Sequence, residues 1–121
     1  MKCICLLFLV VVAVYAEEKY TEENDDLDIE GVIKDADTMK AFTGCFMDTA
    51  DCDHVSGDFK KDLPEAIQTA CAKCTDKQKH ITKRYFEGLE EKYPELYQAF
   101  KNKYDPENKY FAALKAAIAK F

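Results

Sequence analysis

Four cysteines, Cys45, Cys52, Cys71 and Cys74, stand in the order C-x6-C-x18-C-x2-C. Two more, Cys3 and Cys5, lie in the opening stretch MKCICLLFLVVVAVYA. That stretch carries a lysine at position 2, an apolar run from Ile4 to Val14, and small-residue spacing at Val14 and Ala16 before Glu17. It is the layout of a secretory signal peptide, residues 1–16. A membrane span needs about 20 apolar residues, and Glu17, Glu18 and Lys19 arrive too soon for one. With the leader removed, residues 17–121 form a single domain holding four cysteines. An even count in a short secreted chain signals two disulfides rather than free thiols. The mature protein is therefore expected to be secreted and extracellular, to act as a monomer, and to make no stable membrane insertion.

The CAKC run at 71–74 raises three readings. A catalytic CxxC opens a helix beside a βαβ unit, where the helix dipole lowers the thiol pKa. Here Cys71 falls near the end of a helix, and no strands are in sight to build a sheet. Zinc is disfavoured because the first pair is spaced by six and the compartment is oxidising. A structural staple fits best: about one helical turn separates Cys71 from Cys74, within disulfide range. The six residues between Cys45 and Cys52 suit a turn closing a helix. Loops this short stabilise by only about 2 kcal/mol each on the chain-entropy account, so apolar packing must hold most of the domain together.

The packing signal is helical, with apolar residues recurring at spacings of three and four. Leu27, Val32, Ile33 and Ala36 mark a short first helix, and Met39, Phe42 and Phe46 a second that ends near Cys45 to Asp48. Ser56 is read as the cap of a short turn containing Phe59, and Pro64 as the first turn of a separate helix lined by Ile67, Ala70 and Cys71. Thr75-Asp-Lys-Gln78 forms a capping box, after which Ile81, Tyr85, Leu89 and Tyr93 share one face. Pro94 opens the next helix, and Asp105-Pro106 reads as cap and first position of the last. Residues 17–26, EEKYTEENDD, are acidic and read as loose. The result is an all-α domain of about six helices.

Charge is divided along the chain. Residues 17–58 carry a net charge of −11 and residues 59–121 a net charge of +4. The overall acidity argues against nucleic acid as a partner, and the division suggests that the two halves face each other. Catalysis has little to work with, and no metal or cofactor is implied. His54 among Asp51, Asp53 and Asp58 reads as solvated surface, and His80 lies among lysines. There is no Asn-x-Ser/Thr acceptor for a glycan.

The cysteine spacing, together with DLPEAIQTACAKCTDKQK and PELYQAFKNKYDPENKY, resembles the insect chemosensory proteins, the OS-D-like or pherokine family, over nearly the whole mature chain. The resemblance implies six helices enclosing an apolar channel, with bridges Cys45–Cys52 and Cys71–Cys74. It implies a carrier of small hydrophobic molecules such as fatty acids, lipids and semiochemicals; the alternative is a secreted developmental or protein-interaction factor. Ligand sites are concave and mostly apolar. The wall is expected from Ile33, Met39, Phe42 and Phe46 in the early helices and from Ile67, Tyr85, Leu89 and Tyr97 in the later ones, with the Tyr85 and Tyr97 hydroxyls meeting a ligand's polar group. The chain departs from its relatives at Gly31 and Gly88, glycines inside helices that each cost about 1 kcal/mol against alanine. Tyr97 stands where many relatives carry tryptophan.

Overall fold

The computed structural model describes residues 19–121; the leader read at 1–16 lies outside them. Most helices begin where the sequence supplies an acceptor for the first free N–H groups; α5 instead starts at a proline. The order is α1 (Ile29–Lys34), α2 (Ala36–Phe46), α3 (His54–Gln68), α4 (Asp76–Lys92), α5 (Pro94–Tyr104) and α6 (Phe111–Ile118). Asp28 caps α1 by accepting from Gly31 N, and Asp35 ends α1 while capping α2. Reciprocal capping boxes start α3, from Asp53 and Ser56, and α4, from Thr75 and Gln78. No strand occurs among the described residues.

Helix α4 is the centre: α1, α5 and α6 all pack on it, while α3 leans on α2 and α6. The core fills the space between them, with Met39, Leu89, Phe100 and Leu114 fully buried. Phe86 on α4 stacks at 5.6 Å from Phe100 on α5 and 5.3 Å from Phe111 on α6. Aromatic pairs of this kind add roughly 1 kcal/mol beyond the area they bury.

Two local disulfides close the loops at either end of α3. Cys45–Cys52 joins the end of α2 to the start of α3, with Cα atoms 4.8 Å apart. Cys71–Cys74, at 5.0 Å, lies beyond the other end.

Three local expectations are corrected. The turn at Ser56 and the helix at Pro64 are one continuous helix, α3, with Pro64 inside it. Phe59, Leu63, Ala66 and Ile67 keep one face of that helix apolar across the proline, and packing of that face outweighs the missing N–H. The CAKC run is not a helical turn. Helix α3 ends at Gln68, and Ala70 and Cys71 adopt left-handed backbone, φ 55° and 61°. Asp105 does not begin a helix at once. Its buried carboxylate accepts from the backbone N–H groups of Lys109 (2.7 Å), Tyr110 (2.9 Å) and Phe111 (3.0 Å), and α6 starts at Phe111.

The two charged halves do meet. Arg84 on α4 forks onto Glu30 of α1, with Nε to Oε2 at 2.6 Å and Nη2 to Oε1 at 3.0 Å. Asp48, just past α2 with φ 62°, binds Lys60 of α3 and, at 2.9 Å, Lys103 of α5. The Lys60 and Lys103 ammonium groups hold the Asp48 carboxyl down at about 2. A folded-state pKa below the unfolded value of about 4 contributes stability that is complete above that value and is lost as pH falls toward 2. Asp48→Asn keeps a residue that tolerates left-handed backbone. It is expected to lower the urea midpoint at neutral pH, with the deficit against wild type closing between about pH 4 and pH 2. A deficit that does not change with pH would refute the ion-pair account.

Gly88 has a packing reason that helix propensity alone does not show. A Cβ there would stand 2.9 Å from Ile33 Cγ2 and 3.0 Å from its Cγ1, so glycine sets how closely α1 approaches α4. Gly88→Ala gains about 1 kcal/mol of helix propensity but overpacks a buried contact at a cost of roughly 1–3 kcal/mol. A net loss of about 1 kcal/mol, or several degrees in Tm, is expected. A more stable variant would show that α1 can move away freely.

Candidate ligand cleft

Between α2, α3 and α4 the helices leave an apolar cleft. Helix α2 supplies Phe42 and Phe46, one turn apart, and α3 supplies Phe59 and Leu63 in the same way. Helix α4 contributes Ile81, Thr82, Tyr85 and Phe86, while Leu27 and Ile29 close the near end. The aromatic walls meet edge to face, Phe42 with Phe46 at 6.1 Å and Phe46 with Tyr85 at 5.6 Å. The Tyr85 hydroxyl lies 2.6 Å from Thr43 Oγ1, both groups buried, so this wall is fixed by a hydrogen bond as well as by shape. Burial pushes the Tyr85 hydroxyl well above its ordinary value, and it stays protonated.

As the side chains stand, the cavity volume is about 40 Å³. A dry cavity of about 150 Å³ is needed to take even benzene. A long alkyl chain is larger than the cleft as the side chains stand.

Beside the cleft lies a second, more polar chamber of about 140 Å³. Phe59, Leu63 and Thr82 border both. Its roof is the segment 19–26, which the sequence suggested was loose and the structure ties down. Tyr20 N donates to Lys73 O at 2.9 Å, and the Tyr20 hydroxyl to Glu65 at 2.8 Å. Gln78 Nε2 donates to Thr21 O at 2.7 Å and to Asp25 at 3.0 Å, while Thr75 donates to Asp25 at 2.9 Å. Asn24 donates to Asp58 at 3.1 Å. The CAKC loop thus presents backbone carbonyls on which this strap is docked.

His54 is the strap's exposed fastening. Its Nε2 lies 3.0 Å from Glu23 Oε1 and 3.4 Å from Asp58 Oδ2. Its pKa is raised, first by the hydrogen bond to Glu23 and then by the charge of Asp58. Sequence reading grouped His54 with Asp51, Asp53 and Asp58; folding keeps Asp58 beside it and adds Glu23.

Of the eight residues expected to line a site, Phe42, Phe46 and Tyr85 border the cleft. Ile33, Met39, Ile67, Leu89 and Tyr97 are buried in the core away from it. The Tyr85 hydroxyl is taken by Thr43, and the buried Tyr97 hydroxyl has no hydrogen-bond partner among the described residues. The wall residues that sequence reading passed over are Leu27, Ile29, Phe59, Leu63, Ile81, Thr82 and Phe86. The Phe59–Leu63 pair carried a usable signal, four residues apart on one helical face, hidden by taking Pro64 as a helix start.

Residues 20–112 match the family described as the insect pheromone-binding family, A10/OS-D. The chain is 32% identical over 113 residues to ejaculatory bulb-specific protein 3 of Drosophila melanogaster, covering 93% of this chain and 90% of that one. It is 34% identical over 112 residues to allergen Tha p 1 of Thaumetopoea pityocampa, covering 91% and 89%. Among solved structures it is similar to a chemosensory protein in complex with bromo-dodecanol. The TM-score there is 0.74 at 25% identity, over 85% of this chain and 100% of that chain.

Tyr85→Phe removes one partner of the buried Thr43 hydroxyl and leaves the shape unchanged. The expected cost is about 1–2 kcal/mol, read as a lower denaturant midpoint. A neutral result would mean that Thr43 turns to another acceptor and that the bond does not hold the wall.

Proposed function

The chain belongs to the insect pheromone-binding family A10/OS-D, a family of binding proteins rather than enzymes, and from that premise we propose that it is a secreted carrier that reversibly holds small hydrophobic molecules in the cleft between α2, α3 and α4. The observation that carries this reading is a lining apolar on every side, built from three helices and backed by aromatic rings. Fatty acids, lipids and semiochemicals are the ligand classes in view, and a solved relative holds bromo-dodecanol. The wall we assign is Phe42, Phe46, Phe59, Leu63, Ile81, Tyr85 and Phe86. Residues 1–16 serve as the leader that sends the protein out of the cell. Among the described residues, no helix is long and apolar enough to cross a membrane.

Energetically the reading is sound. Burying methylenes yields about 0.8 kcal/mol each, against association and ordering costs of several kcal/mol. Twelve or so carbons supply about 10 kcal/mol gross, enough to leave net binding once those costs are met.

The test is titration of the delipidated protein, folded from residues 17–121, with a fluorescent probe sensitive to apolar surroundings. Saturable one-site binding at micromolar concentration is expected. Leu63→Lys puts a charge at the half-buried lip of the cleft and should weaken the probe at least about tenfold, which is 1.4 kcal/mol. Met39→Leu, in the core away from the cleft, should leave affinity unchanged. Absence of saturable binding in the wild type would overturn the carrier reading.

A further inference from the structure

The polar chamber beneath the strap bears on which head groups the cleft accepts. It adjoins the apolar cleft at Phe59, Leu63 and Thr82, which line both. Its charged lining is one-sided: Glu23, Asp58 and Asp62 against Lys61. The remaining polar groups are largely engaged. Gln78 donates to Thr21 and Asp25, Asn24 donates to Asp58, and the Tyr20 hydroxyl donates to Glu65. What remains is Lys61, the hydroxyls of Thr21 and Thr82, and an excess of carboxylate oxygen and negative charge.

We propose that this protein selects long-chain alcohols over the carboxylates of equal length, the head group lying in the chamber between the strap and α3 and its hydroxyl donating to the Asp58 or Asp62 carboxylate. The inference rests on the carrier reading and adds head-group selectivity to it. An alcohol brings a donor to carboxylates of which Asp58 already accepts one hydrogen bond, from Asn24. A carboxylate brings a second anion and no donor, and must give up water to enter.

Two groups already in place report the same field. Desolvation first, then the charges of Glu65 and Asp58, push the Asp62 carboxyl up in spite of Lys61. The Tyr20 hydroxyl is pushed up by desolvation, by its hydrogen bond to Glu65 and by the charges of Glu65 and Asp62. Both therefore sit where a negative charge is disfavoured. Lys61, the one cation lining the chamber among the described residues, is the group that would argue for carboxylates, and the experiment isolates it.

The delipidated protein is loaded with N-phenyl-1-naphthylamine at pH 8 and competed with 1-dodecanol or with dodecanoate. Equal chain lengths cancel the contribution of the tail. Dodecanol is expected to displace the probe at about tenfold lower concentration, the scale of one uncompensated like-charge contact near a protein surface. Asp62→Asn and Asp58→Asn, each checked for native circular dichroism, should shrink the gap severalfold by improving dodecanoate. Lys61→Gln, at an exposed position, should widen it. Dodecanoate binding as tightly as dodecanol would overturn the selectivity while leaving the carrier reading intact. So would a Lys61→Gln variant in which dodecanol gains nothing over dodecanoate. A probe that does not bind saturably at all would overturn both.

Discussion

Everything in this fold hangs on helix α4, because the covalent links do not reach across it. The two disulfides span 7 and 3 residues. Neither ties α1, α5 or α6 to anything. What joins them is the run Arg84, Tyr85, Phe86, Gly88 and Leu89, which points in several directions around one and a half turns. Arg84 grips Glu30 and Gly88 admits Ile33, which sets α1. Phe86 meets Phe100 and Phe111, which sets α5 and α6. Tyr85 meets Thr43 and Phe46, which sets α2. Apolar packing with a few placed polar contacts does the work that long-range disulfides do in many small secreted domains.

Helix α3 is what the arrangement leaves over. It packs on α2 and α6 and not closely on α4, and the cleft is the space this opens. The disulfides act on α3 at both ends. Cys45–Cys52 fixes where it starts after α2. Cys71–Cys74 shapes a left-handed turn after it, whose carbonyls at Ala72 and Lys73 receive Lys19 and Tyr20 of the strap. A pair of cysteines that looked like a redox couple or half a metal site in the sequence therefore serves the strap. Local bridges make sense here, since they position one wall of a cleft without clamping the whole domain.

Much of this was legible in the sequence, and what was not has identifiable causes. Ile81, Tyr85 and Leu89 at steps of four told truly of a buried face on α4, and Thr75 with Gln78 told of its start. Periodicity reports that a side chain is buried, not whether a void lies beside it. Met39, Ile67 and Leu89 are more deeply buried than Phe59 or Leu63 and yet stand away from the cleft. Pro64 was read by its intrinsic preference for a first turn, whereas the apolar face running through it decided the helix. The strap was judged by its acidity and looked free. Its order comes from specific partners, Gln78, Thr75 and Asp58, that lie 34 to 57 residues further along, a distance over which composition says nothing.

The small volume of the cleft follows from what a domain of this size can sustain. A void of about 150 Å³ costs roughly 4 kcal/mol at the rate measured for cavities in protein cores, a large part of the 5–15 kcal/mol that keeps a typical domain folded. A carrier of about a hundred residues cannot hold a lipid-sized hole open. Phe42, Phe46 and Phe59 line a cleft of only about 40 Å³, which avoids most of that cost. Rings and branched chains that re-pack around a guest are indifferent to small changes in the tail, since one methylene more or less shifts binding by about 0.8 kcal/mol. Discrimination has to come from somewhere that cannot re-pack so cheaply. Fixed charges under a strap held by hydrogen bonds from three different elements are of that kind, and in this protein Asp58 and Asp62 line the chamber beside the cleft.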